Sequence, residues 1–263
     1  MQNPIQYQPI AVFKSDARYP YEVPRQGCLS ERDGEVVFEK GLNLEQMLTE
    51  IDGFSHLWLI FHFDQADSWK PLVLPPRSDK GKKVGVLASR APHRPNPIGL
   101  SCVELCRVGH DRLHVRGTDL LDGTPILDIK PYLAYCDAVP DARPGWTARQ
   151  SLPDYTVVFT ERSREQGEWI HARTGLNLLE VARLQLEYEP LDDSRKRVSH
   201  EGEGYCLACR TWRLDFSLNP EKKEILLVAI RSGYRAEECA EGTDDPYEDK
   251  EHHRLFQKTF GCG

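Results

Sequence analysis

The chain has 263 residues, 40% of them hydrophobic and 29% charged, with 34 basic and 41 acidic residues and a formal net charge of −7. That is enough chain for one sizeable core and a smaller second one, with a composition that excludes disordered and fibrous classes. The longest apolar run, Leu57 to Phe63, is too short to cross a bilayer and contains His62, and the polar start Met1-Gln2-Asn3-Pro4 lacks a secretory pattern, so no membrane partner and a cytoplasmic address are expected.

The N-terminal part is predicted to be mostly β. Ile5 to Phe13 is rich in β-branched and aromatic residues. Asn43 can cap a short helix carrying Leu44, Met47, Leu48 and Ile51 at helical spacing, with Gln46 three residues after the cap. Phe54 to Phe63 puts Leu57, Leu59, Phe61 and Phe63 on one face and Trp58 and Ile60 on the other, which predicts a strand covered on both sides. Further strands are predicted at Val84 to Ala88, Leu100 to Val108, Leu113 to Arg116 and Ile126 to Pro131. Glycine and proline punctuate the gaps, as in a barrel or a sandwich.

A boundary is expected near Pro140 to Pro153, where Pro140 to Trp146 is turn-rich. Beyond it, Ser163-Arg164-Glu165-Gln166 reads as a capping box, and Asn177 to Gln185 is a better helix with Leu178, Leu179 and Ala182 on one face. Trp212, Leu214, Phe216 and Leu218 alternate with polar residues, turn at Asn219 to Lys223 and return along Ile225 to Ile230, a hairpin. After Arg235 the chain is acidic and poorly patterned, and is expected to be an extension. The predicted domains are 1–150, 151–235 and 236–263.

The segment Ser89-Arg90-Ala91-Pro92-His93-Arg94-Pro95-Asn96-Pro97-Ile98-Gly99 carries the strongest functional signal. Pro92, Pro95 and Pro97 fix the backbone and remove three amide donors, so the stretch is neither helix nor central strand. It presents two arginines and a histidine on a stiff loop, which suits a ligand held in one pose. A plain rigid connector with solvated charges is the competing reading. Arg77, Lys80, Lys82, Lys83, Arg90 and Arg94 face one acid, Asp79, so this stretch is locally basic in an acidic chain.

The run His93-Arg94-Pro95-Asn96-Pro97-Ile98-Gly99 resembles the signature of the TsaA-like (TrmO) family. Val23-Pro24-Arg25-Gln26, Gly53-Phe54-Ser55-His56-Leu57-Trp58, Pro75-Pro76-Arg77, Val84 to Arg90, Asp119 to Pro125 and Asp128-Ile129-Lys130-Pro131-Tyr132 resemble further family segments in the same order, across residues 1–150. The resemblance implies a mainly β chain, with a single-sheeted β-barrel N-terminal domain and a smaller α+β C-terminal domain. It implies methyl transfer from S-adenosylmethionine to N6 of threonylcarbamoyladenosine at position 37 of tRNA, and a homodimer. The chain has no glycine-rich strand-to-helix turn of the dinucleotide type, in keeping with a barrel.

By resemblance, the cofactor contacts fall on Arg25, Gln26, Gly27, Gln65, Ala66, Arg90 and Leu100, and on Asp119, Leu120, Leu121, Asp122, Gly123, Thr124 and Pro125. Arg25 or Arg90 could pair a carboxylate bidentately, Asp119 or Asp122 could accept from an ammonium or ribose hydroxyls, and Leu100 and Leu121 could pack an adenine. Read from the residues alone, Leu100 and Leu121 serve equally as core, Asp122-Gly123 as an ordinary turn, and His56 as a satisfied core histidine. Lys82, Lys83, His93 and Arg94 are candidates for tRNA contact, and Trp69, His93 and Tyr132 for base stacking. Methyl transfer needs placement more than acid–base chemistry, and no general base is assigned.

The resemblance weakens toward the C-terminus. The family's bacterial members carry Asp-Pro-Arg-Pro-Ala-Tyr where this chain reads Tyr188-Glu189-Pro190-Leu191-Asp192-Asp193-Ser194-Arg195, which leaves tRNA choice open. Cys206-Leu207-Ala208-Cys209 is half of a zinc spacing without a second half, and no metal is expected. The competing functions are a cofactor-responsive RNA-binding module without this methylation, and a metal-stabilised nucleic-acid adaptor.

Overall fold

The computed structural model describes residues 5–24, 26–75, 81–149, 154–192, 196–240 and 242–261. The chain divides into two compact units, Met1–Ser151 and Leu152–Gly263.

The first unit contains β1 (Ala11–Lys14), β2 (Asp33–Phe38), α1 (Leu44–Met47), β3 (His56–His62), β4 (Leu72–Val73), β5 (Val84–Gly85), β6 (Ile98–Val108), β7 (Arg112–Arg116), β8 (Pro125–Pro131) and α2 (Ala134–Asp137). The strands β1-β2-β7-β6-β3-β8 close into a barrel, and β4 and β5 form a separate small ribbon. Every contact within the barrel is antiparallel. Closure removes the unpaired edges that an open sheet would expose.

Alternation decides what fills the barrel. Phe13, Val36, Leu57, Leu59, Leu113 and Ile126 point inward and are fully buried. Burying each contributes roughly 1.5–3 kcal/mol. Trp58 and Ile60 on the other face of β3 are only half-buried, so that strand is not covered equally on both sides as its composition suggests. Gly99 faces the same interior, and a Cβ there would lie 2.2 Å from the Phe61 ring. The proline-rich loop ends on glycine because that ring occupies the space.

Several elements differ from expectation. β1 begins at Ala11, and Ile5 and Tyr7 before it are exposed. β2 went unanticipated because Asp33 and Glu35 interrupt its apolar pattern, yet its inward positions are Gly34, Val36 and Phe38. Val84 to Ala88 is a two-residue strand followed by a 3-10 turn at Val86–Ala88.

The second unit contains β9 (Thr156–Phe159), α3 (Glu161–Thr174), α4 (Leu178–Leu186), β10 (Val198–Glu201), β11 (Gly204–Cys209), β12 (Trp212–Asn219), β13 (Glu224–Ser232) and α5 (Lys250–Phe260). Its sheet has the order β10-β11-β12-β13-β9, with β9 parallel to β13. The hairpin β12–β13 lies as its alternation predicts. Helix α3 starts three residues before the expected box: Thr160 is the cap, accepting from Ser163 N, and the Gln166 side chain accepts from Ile230 N at 2.8 Å. Asn177 caps α4 as read.

The acidic stretch after Arg235, expected to be a poorly patterned extension, contains α5. Phe256 and Phe260 pack against Trp169, and Trp212 stacks on the His253 ring at 3.8 Å between centroids. His253 is fully buried, between the hydroxyls of Ser232 at 2.8 Å and Thr211 at 2.9 Å. Asp249, just before the helix, accepts from Thr211 at 2.6 Å and Tyr234 at 2.8 Å. Burial alone raises the Asp249 pKa. The His253 ring, the Thr211 hydroxyl and the Tyr234 hydroxyl overcome this and hold it down at about 2. A depressed pKa contributes stability above the unfolded carboxylate value of about 3.9, lost as pH falls through the folded value. The helix is therefore expected to loosen between about pH 4 and pH 2. Asp249→Asn is expected to cost roughly 1–3 kcal/mol at neutral pH and to flatten that acid limb, read by urea melts across pH.

Candidate functional site

The barrel gathers residues from distant parts of the chain around the half-buried carboxylate of Asp119. Between β1 and β2 the chain makes a tight turn anchored by Glu22, fully buried, which accepts the Arg18 N–H at 2.8 Å and the Tyr19 N–H at 3.2 Å. It then passes Gln26 and enters a 3-10 turn at Gly27–Leu29. Gly27 presses against the backbone after β7, where a Cβ would lie 2.2 Å from Gly117 O. No other residue fits there without moving the loop.

That approach delivers the Gly27 N–H to the Asp119 carboxylate, which also accepts the Ser101 hydroxyl at 2.6 Å. Ser101 lies in the inward register of β6, opposite Leu59, and is 6% exposed. Burial pushes the Asp119 carboxyl above its ordinary range. The Ser101 hydroxyl, the Gly27 N–H and the Arg90 charge pull the other way. Arg90 arrives on the proline-rich loop, its Nη1 donating to Gln26 Oε1 at 2.6 Å. Leu100, next to Ser101 but facing outward, is 52% exposed. One surface thus offers an anion, a cation, loop backbone and an apolar side chain.

Of the expected site residues, Gln26, Gly27, Arg90 and Asp119 are brought together, and Leu100 borders them. Arg25 lies outside the described residues. Gln65 and Ala66 stand on the turn after β3, tied to the proline-rich loop by the Phe63 N–H donating to Pro97 O at 2.8 Å. Leu120 is 2% exposed in the barrel core, its N–H donating to Thr118 Oγ1 and its carbonyl accepting from Ser15 Oγ. Leu121 to Thr124 turn back against β1: Asp122 N–H donates to Ala17 O, Gly123 N–H to Phe13 O, and Pro125 pairs with Val12. Asp122 accepts the Ser15 N–H at 3.2 Å and lies 3.7 Å from Lys14 Nζ.

Lys82 and Lys83 are exposed. His93 ties the loop to the segment after β3, its Nδ1 meeting Ser68 O at 3.2 Å, and Arg94 braces the loop from within, its Nη1 donating to Ser89 O at 3.2 Å. Arg77 and Lys80 lie outside the described residues. Tyr132 packs edge-on against Trp58 at 5.6 Å and His56 at 6.3 Å, and Trp69 is exposed. Ser101 was missed by sequence reasoning. Its signal was a hydroxyl at an inward position of an apolar strand.

In the second unit, the segment that departs from the family motif is held by backbone contacts. Glu189 adopts a left-handed conformation at φ 40°, its N–H donates to Asp154 Oδ2 at 3.2 Å, and Lys196 Nζ donates to Glu189 O at 2.9 Å. Residues 193–195 lie outside the described ones. Cys206 and Cys209 sit three apart on β11, so they face opposite sides of the sheet. The Cys206 thiol is pushed up to about 12 by burial and by Asp215 and Glu201. Glu201 and Asp215 gather around it, but Arg231 already bridges them, with Nε 2.9 Å from Asp215 Oδ2. A protonated thiol beside a guanidinium is poor metal chemistry.

The chain is similar to known proteins over most of its length. The family model for the tRNA-methyltransferase O N-terminal domain matches residues 12–138. A protein of Eikenella corrodens named tRNA (adenine(37)-N6)-methyltransferase is 38% identical over 183 residues, 67% of this chain and 97% of that protein. A protein of Pyrococcus abyssi named "Probable S-adenosyl-L-methionine-binding protein" is 38% identical over 163 residues, 62% of this chain and 84% of its own length. The crystal structure of TrmO from Pseudomonas aeruginosa aligns with a TM-score of 0.66 at 30% identity, covering 88% of this chain and 99% of that one.

The Ser101 hydroxyl favours the charged form of Asp119. In Ser101→Ala the Asp119 carboxyl is expected to titrate at a higher pH than in the native chain, read by carbon NMR of the side-chain carboxyl.

Proposed function

Because the chain belongs to the tRNA-methyltransferase O family, we propose that it methylates N6 of threonylcarbamoyladenosine at position 37 of tRNA, using the surface around Asp119 to hold its methyl donor. At the coarser level it is an S-adenosylmethionine-dependent tRNA (adenine-N6) methyltransferase. The observation that carries the site assignment is the convergence of Gln26, Gly27, Arg90, Ser101 and Asp119 from separate parts of the barrel.

The residues present fit S-adenosylmethionine, which supplies a methyl group already activated by its sulfonium. Asp119, half-buried and held by Ser101 and Gly27, offers a fixed anion to an ammonium or a ribose hydroxyl. Arg90, bonded to Gln26 among the described residues, keeps further donors for a carboxylate. Exposed Leu100 and half-buried Leu121 offer apolar surface to an adenine. Gln65 and Ala66 belong to the proposed rim. The chain's task is placement: orienting the acceptor nitrogen in line and keeping water away.

Exposed Lys82 and Lys83 are proposed phosphate contacts for the tRNA. His93 and Arg94, which also hold the proline-rich loop in place, are proposed tRNA contacts beside them. The exposed leucines 72, 74 and 87 beside the β4–β5 ribbon are apolar surface that a homodimer would bury. No described helix is long and apolar enough to cross a membrane. A cytoplasmic address is proposed from the tRNA substrate.

Arg90→Ala is expected to weaken S-adenosylmethionine binding by about ten- to a hundredfold, read by calorimetry, with the thermal melt unchanged. Deleting the gene is expected to remove the N6-methyl group from threonylcarbamoyladenosine, read by mass spectrometry of tRNA nucleosides. An unchanged nucleoside with intact cofactor binding would instead identify a cofactor-responsive RNA-binding module.

A further inference from the structure

Arg90 is exposed, and its loop is anchored to the small ribbon by the Val86 N–H, which donates to Pro71 O at 3.0 Å. An arginine so placed holds a ligand only if its backbone is held. Carbonyls just before it are taken by side chains. Val86 O accepts from the Ser89 hydroxyl at 2.9 Å, and Ser89 O from the Arg94 guanidinium at 3.2 Å. Ala88 O, between them, accepts the indole N–H of Trp146 at 2.7 Å. Trp146 is 58 residues away in sequence, in the turn-rich stretch after the barrel's last strand. Its own turn, Gly145–Arg149, is braced by the Thr147 hydroxyl donating to Pro144 O at 2.7 Å.

We propose that Trp146 is a positioning residue for the methyl donor: its indole N–H, bonded to Ala88 O, fixes the 86–90 segment and so keeps Arg90 beside Gln26. The inference rests on the assignment of Arg90 to that ligand. An indole suits the task because its single ring N–H donates and cannot accept, and the rest of the ring covers apolar surface. Arg94 does the matching work from within the loop, one carbonyl further on.

The test uses the full chain and Trp146→Phe, which keeps an aromatic ring, smaller than the indole, and removes the N–H. Amide hydrogen exchange without ligand is expected to quicken in peptides spanning residues 86–94 and to stay native elsewhere. The dissociation constant and KM for S-adenosylmethionine are expected to rise about fivefold, the worth of one hydrogen bond, with kcat unchanged. In an Arg90→Ala background the same substitution is expected to have no further effect on affinity, because Trp146 acts through Arg90. Native exchange, native affinity, or a loss that persists without Arg90 would each overturn the role of Trp146. If the native chain binds no S-adenosylmethionine, the assignment of the site falls, and this inference with it. A native chain that binds, with a variant equal to it, overturns the inference alone.

Discussion

A carboxylate partly removed from water must be given partners, and Asp119 is the group on which the proposed site depends. Its burial would favour the neutral acid, so the charged form persists only with donors aimed at it. Two of these are the Ser101 hydroxyl on β6 and the Gly27 N–H on the loop between β1 and β2. Satisfying the carboxylate therefore fixes the loop, and fixing the loop places Gln26, the residue that Arg90 meets. One charge orders three segments, and the same charge is what a cationic ligand group would read.

The barrel makes this economical. Closure sets the register of β6 against β3, and Ser101 falls opposite Leu59, on the inward side. A shift of one residue would turn Ser101 outward and Leu100 inward, exchanging the donor for an apolar side chain. Phe61 over Gly99 blocks that slip, because the ring occupies the space a Cβ would need. Core packing and site chemistry are thus constrained by the same strand.

Much of this was legible in the sequence where one period dominates. Leu57, Leu59 and Phe61 alternate cleanly and predict β3, and Trp212, Leu214 and Phe216 predict the hairpin's first strand. β2 was hidden because Asp33 and Glu35 carry its outward face and Gly34 one inward position. Helix α5 was hidden by acidic flanks, although His253, Phe256 and Phe260 place an aromatic stripe toward Trp212 and Trp169. For the site, proline spacing and the Arg90 loop stood out locally. Ser101 with Asp119, and Trp146 with Ala88, are joined only by tertiary closure, which no window of sequence contains.

In the proposed site the barrel also limits how an anionic headgroup could be held. A doubly wound sheet offers helix N-termini, whose backbone amides and dipole receive a carboxylate or phosphate without a charged side chain. Around Asp119 the local helical pieces are single 3-10 turns, Gly27–Leu29 and Val86–Ala88, too short to sum a useful dipole. In the proposed site the burden would pass to side-chain charge, and a side chain is useful in that role only when its freedom has been removed beforehand. Three prolines stiffen the loop on the C-terminal side of Arg90, but they lie after it and leave residues 86–89 to be held by other means. That is the stretch whose carbonyls Ser89, Trp146 and Arg94 take up. The rigid run visible in the sequence and the indole invisible to it thus restrain the two sides of the same arginine.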